Sequence, residues 1–202
     1  MRSPRVAGLA LILLVLGSGL AWLAPALDDA LVRALHADRS TVLAQVARDA
    51  TALGSHAVVL GLMLATGLIA WAARQPRLAV IAVLQGAGAM VLSFLLKTVV
   101  QRPRPEVGAL DHLLTYAFPS GHALLAAAVW PWLGVLLAAR EPAPRARAAY
   151  VASGLLLASV IAASRIVLGV HRPSEVVAGF GLGLGWGWLC ARWAQPVGTG
   201  RL

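Results

Sequence analysis

The sequence predicts an all-α, polytopic membrane protein: a bundle of six transmembrane helices with short amphipathic helices at the interface. Two observations predict it. The 202 residues are 59% hydrophobic and only 12% charged, with a mean hydropathy of +0.79, more apolar surface than a soluble domain of this size buries. The apolar residues also gather into six runs, each near the roughly 20 residues that a spanning helix needs. These runs lie near Val6–Ala24, Ala57–Ala73, Leu78–Leu96, Ala123–Ala139, Ala148–Leu168 and Val176–Ala194, and the whole of 1–202 reads as one domain.

The first run is preceded by Arg2 and Arg5 and followed by Ala24-Pro25-Ala26, flanks that a cleaved signal peptide would share. Its length fills a bilayer, which favours a retained helix; cleavage would leave the orientation of the other five unchanged. From Ala26 to Ala52 apolar and charged residues alternate at helical spacing, Leu27 with Leu31 and Leu35, then Val42 with Val46, and Ser40 or Thr41 can cap. One or two amphipathic helices lying on the outer interface are expected there. The last run carries Gly179, Gly183 and Gly187 at four-residue steps, interleaved with Gly181 and Gly185, a pattern that lets helix backbones approach closely in lipid.

Orientation follows from the loops. With the N-terminus inside, the inner loops hold Arg2, Arg5, Arg74, Arg77, Arg140, Arg145, Arg147, Arg192 and Arg201, and the outer ones Arg33, Arg39, Arg48, Lys97, Arg102, Arg104, Arg165 and Arg172. The last five fall in or beside a candidate site; setting them aside leaves nine inside against three outside. Both termini are therefore expected in the cytoplasm, in a bacterial inner membrane whose periplasmic face carries the site.

The formal charge of +9 comes from 17 basic residues scattered among short loops, with no aromatic-and-basic platform, so nucleic acid is not an expected partner. The single Cys190 sits in an apolar run, and the eight acids show no carboxylate cage spacing, so neither a disulfide framework nor a metal cofactor is expected.

Three stretches of polar residues interrupt this apolar background. Lys97 ends the third run and Arg104-Pro105 follows; Pro119-Ser120-Gly121-His122 opens the fourth; Ser164-Arg165 closes the fifth, with His171 and Glu175 astride the start of the sixth. The proposed topology brings all three to one face, and ionisable residues gathered at one membrane depth are costly unless they serve a function. His171 and Glu175, four apart, share a helix face.

Lys97-x6-Arg104-Pro105, Pro119-Ser120-Gly121-His122 and Ser164-Arg165-x5-His171-x3-Glu175 together resemble the three-part signature of the type 2 phosphatidic acid phosphatase superfamily, across residues 97–175. The resemblance implies a six-helix membrane architecture and a phosphoric monoester or diphosphate hydrolase acting on membrane lipids. Substrates it implies include phosphatidic acid, phosphatidylglycerol phosphate and undecaprenyl diphosphate. It also implies His171 as the nucleophile that forms a phosphohistidine, with Glu175 holding its tautomer, and His122 as general acid and then base. Lys97, Arg104, Ser120, Gly121 and Arg165 would bind the phosphate. The chain departs from the family at Glu175, where Asp is usual, which bears on how the imidazole is held.

The residue chemistry agrees with those roles. A phosphate monoester needs cations on its equatorial oxygens, a nucleophile on one side and a proton donor on the other. Lys97, Arg104 and Arg165 supply the cations, Ser120 a hydroxyl, and Gly121 a close backbone approach at a helix start. Arg102 and Arg172 lie beside the signature positions, as either nearby supports or solvated charges. His36, His56 and His112 match no part of the signature and read as interface histidines. Two alternatives remain open: phosphoryl transfer to an acceptor other than water, and a protein that binds or transports lipid phosphates without turnover.

Overall fold

The protein is represented by a computed structural model that describes residues 4–38, 40–107 and 115–194. Among these the regular structure is entirely helical: α1 (Pro4–Leu23), α2 (Pro25–Leu35), α3 (Val42–Ala52), α4 (His56–Ala72), α5 (Pro76–Val100), α6 (Gly121–Ala138), α7 (Pro144–Val167) and α8 (Pro173–Trp193). Arg2, Arg39, His112 and Arg201 lie outside the described residues.

Local chemistry sets most boundaries. Proline stands in the first turn of α2, α5, α7 and α8, where its missing N–H costs no hydrogen bond. Thr41 and Ser55 cap α3 and α4, their hydroxyls accepting from the amides of Ala44 and Val58. The turn after α7 needs a left-handed residue and has Gly169 at φ 68°. The interfacial stretch forms two short helices, α2 and α3, as its periodicity predicts. Helix α5 runs four residues past its predicted end, so Lys97 lies within its last turn, and α8 starts three residues before its predicted start.

Among the described residues five stretches are long and apolar enough to cross a membrane: α1, the Val42–Ala72 stretch of α3 and α4, α5, α6 and α7. The sixth predicted run, α8, is not among them. Its position explains the difference. Helix α8 is packed against α1 and α6 and buries twelve of its residues, so glycine and alanine stand where a lipid-facing helix carries leucine. A Cβ on Gly183 would fall 2.2 Å from the carbonyl of Leu124 on α6, and one on Gly181 2.7 Å from that of Ala10 on α1. Alternate glycines thus let α6 and α1 approach from two sides. Across the core, the buried Gln85 amide of α5 donates to Ala128 O on α6, and Trp186 of α8 donates to Gln85 O.

Candidate active site

The start of α6, the end of α7 and the start of α8 meet at one end of the bundle. Ser120 N donates to Glu175 O at 3.0 Å, and the amides of Val170 and His171 both reach Arg165 O at 3.2 Å. Backbone bonds thus fix the three segments before any side chain is considered.

Around this frame the structure gathers all eight predicted site residues. His171 is 2% exposed and Glu175 fully buried. His171 Nδ1 lies 2.9 Å from Glu175 Oε2; a carboxylate accepts only, so that nitrogen carries the proton and Nε2 keeps its lone pair. Nε2 faces the Arg104 guanidinium at 3.4 Å. Arg104 is held by Thr115, through its carbonyl and hydroxyl oxygens at 2.9 Å each, and by Val170 O at 2.9 Å. Lys97 donates to Tyr116 O, and Arg165 NH1 to Thr51 Oγ1 at 2.6 Å. Ser120 stands at the N-cap position of α6 but makes no side-chain capping bond, and its buried hydroxyl has no partner among the described residues. A Cβ on Gly121 would meet Ser93 Oγ at 3.1 Å and Lys97 Cε at 3.9 Å, so α6 approaches α5 closely here and a larger residue would have to displace the Ser93 hydroxyl. Arg165, His171, His56 and Arg104 are the charged or titratable groups that bear on the His122 ring.

Electrostatics keep the His171 imidazole neutral. Burial pushes its pKa well below the usual 6.5, and Arg165, Lys97 and Arg104 push it further down. Burial also lowers the Arg104 pKa, while Glu175 opposes that shift. Burial would lower the Arg172 pKa too, but the carboxylates of Asp29 and Glu175 raise it on balance.

Glu175 is held more fully than the signature predicts. Besides His171, its Oε2 accepts the Arg172 amide at 3.1 Å, the helix-start bond of a glutamate at the third position of α8. Its Oε1 faces Arg102 NH1 at 3.2 Å and Arg172 NH1 at 3.4 Å. Arg102 and Arg172, left open between support and solvated charge, are therefore structural partners of Glu175.

Other contributors went unseen in the sequence. Asp28, fully buried, accepts from Arg102 NH2 at 3.0 Å and from Ser174 N at 3.0 Å and Oγ. Asp29 accepts from Arg172 Nε. His56, read as an interface histidine, stands edge-on to His122 with ring centroids 6.1 Å apart. A chain-distant pairing leaves no local spacing to detect; the one available signal was two adjacent acids on a helix otherwise suited to lie on a membrane.

An imidazole with one nitrogen tied to a buried carboxylate and the other turned toward cations, at 3.4 Å from Arg104, has the make-up of a nucleophile facing an anion. The Ser120 hydroxyl, unpartnered among the described residues, and the amides that open α6 add donors of the kind phosphate oxygens accept.

The model of the PAP2 superfamily matches residues 76–198. The chain is 30% identical over 159 residues to phosphatidylglycerophosphatase B of Bacillus subtilis, covering 78% of each chain. It is 32% identical over 171 residues to a decaprenylphosphoryl-5-phosphoribose phosphatase of Mycobacterium tuberculosis, covering 81% of this chain and 85% of that one. Among solved structures, a transmembrane PAP2-type phosphatidylglycerolphosphate phosphatase from Bacillus subtilis superposes with a TM-score of 0.85 at 25% identity, over 98% of this chain and all of the other.

Proposed function

This chain belongs to the PAP2 superfamily, and on that premise we propose that it is a metal-independent phosphatase that hydrolyses lipid phosphates or diphosphates through a phosphohistidine on His171. The observation that carries the reading is the His171–Glu175 pair, buried and 2.9 Å apart, with Nε2 turned to Arg104 at 3.4 Å. In the first step the Nε2 lone pair attacks phosphorus, the bond to the leaving oxygen breaks, and His122 gives that oxygen its proton. In the second, His122 takes a proton from water, the water oxygen attacks phosphorus, the N–P bond breaks and inorganic phosphate leaves. Lys97, Arg104 and Arg165 hold the equatorial oxygens with the Ser120 hydroxyl and the amides from Gly121 onward.

Both named relatives are phosphatases, and their names carry different lipids, one phosphatidylglycerophosphate and the other decaprenylphosphoryl-5-phosphoribose. That pair supports a site that reads the phosphate and leaves the lipid variable, so phosphatidic acid, phosphatidylglycerol phosphate and undecaprenyl diphosphate form the test set. We place α8 as the sixth span, both termini in the cytoplasm and the site with α2 and α3 on the outer face of the inner membrane.

The test is phosphate release by purified protein in detergent with chelator present. Turnover of at least one of these lipids, abolished by His171→Ala and inhibited by vanadate, is expected. No turnover of any of them, or turnover unchanged by His171→Ala, overturns the reading.

A further inference from the structure

The interfacial helix α2 is joined to the site by a closed set of charges. Its two adjacent acids diverge: Asp28 takes the Arg102 guanidinium and Asp29 that of Arg172. Both arginines then donate to one oxygen, Glu175 Oε1, while the other, Oε2, receives His171. Three carboxylates and two guanidiniums alternate around this circuit. Asp28 and Glu175 are fully buried, Arg102 is 8% exposed, and the Asp29 side chain, at 36%, is the open edge. Ser174, just ahead of Glu175, bonds Asp28 through both its amide and its hydroxyl. Arg102 NH2 also lies 3.4 Å from Ala21 O, at the end of α1.

From this geometry, and resting on the function proposed above, we infer that Asp28 and Asp29 are positioning residues: through Arg102 and Arg172 they fix the Glu175 carboxylate and hence the His171 ring. The reasoning concerns charge as well as shape. Buried arginines shared between two acids leave Glu175 enough negative charge to hold the imidazole N–H. With Asp28 neutral, Arg102 directs its whole charge at Oε1, draws the carboxylate toward itself and weakens the bond at Oε2. The same circuit gives the glutamate a reason. One methylene longer than the family's usual aspartate, it reaches both arginines with Oε1 while keeping Oε2 on His171.

The experiment is a double-mutant cycle on the purified full chain, following kcat and KM for phosphate release, with folding checked by thermal denaturation. Asp28→Asn is expected to lower kcat roughly ten- to a hundredfold, the range that small misplacements of reacting groups produce, with KM within about twofold because no phosphate-binding group is touched. Asp29→Asn, at the exposed edge, is expected to act in the same direction but more weakly. Asp28→Asn added to Glu175→Gln is expected to cost no further rate, because the carboxylate it positions is gone. A folded Asp28→Asn protein with wild-type kcat, a change confined to KM, or losses that multiply in the double variant each overturn the inference. Should Asp28→Asn fail to fold, the cycle with Asp29→Asn decides by the same criteria. Wild-type protein inactive on every lipid phosphate would defeat the proposed function instead, so the two failures are distinct.

Discussion

The Glu175 carboxylate accepts from four donors among the described residues, His171 Nδ1, the Arg172 amide and one guanidinium nitrogen each of Arg102 and Arg172, so its substitutions separate charge from reach. Glu175→Asp keeps the charge and is expected to hold kcat within about tenfold. Glu175→Gln keeps the length but loses the charge that fixes the tautomer, and a loss of ~10²–10⁴ in kcat is expected, by analogy with hydrolases whose orienting aspartate is amidated. Equal rates for Gln and wild type would remove the orienting role. His171 gives a second prediction, in pH. Its pKa in the fold lies well below 6.5, so the imidazole stays neutral as pH falls through that value. The profile of kcat/KM, which reads the free protein, should therefore show no loss from His171 protonation near pH 6.5, where an unperturbed histidine would halve it. Stability has the matching sign. The unfolded chain takes up a proton near 6.5 that the folded chain refuses, so the stabilisation present above 6.5 is lost as pH drops below it, which denaturation series at stepped pH will read.

Helix packing makes a prediction of its own, at the glycines of α8. A Cβ on Gly183 would meet the Leu124 carbonyl at 2.2 Å, whereas one on Gly8 of α1 meets nothing within 4 Å. Gly183→Val should cost about 1–3 kcal/mol or more by overpacking, with a lower Tm in detergent, while Gly8→Ala should leave Tm unchanged or slightly raised. The same contrast shows what was legible in the sequence. The signature residues, the six runs and the spacing of glycines followed from local pattern, because membrane depth and helix periodicity act on neighbours in the chain. The roles of Asp28, Asp29, Thr51 and His56 did not, because each depends on how α2 to α4 dock. Asp28 meets Ser174 across 146 positions of sequence, and on its own helix it looks like part of a solvated face. Helix α8 differs from the other runs in composition, because its burial against protein relaxes the demand for apolar bulk.

For the molecule as a whole, the charge distribution implies a sidedness that labelling can check. Glu106 and Pro142 are both exposed and belong to loops at opposite ends of the bundle, after α5 and before α7, while the native Cys190 is buried. In intact cells with a permeable outer membrane, a membrane-impermeant maleimide should modify Glu106→Cys but reach Pro142→Cys only after the inner membrane is broken. The reverse pattern would turn the site toward the cytoplasm. One packing detail then bears on the entire assembly. Gly179 of α8 packs against Ser120 at the start of α6, where a Cβ would fall 2.6 Å from the Ser120 carbonyl, and the same two segments carry His122, two residues after Ser120, and His171, just ahead of α8. A side chain at Gly179 would wedge the start of α6 away from α8, so the spacing of these two segments is set by backbone against backbone.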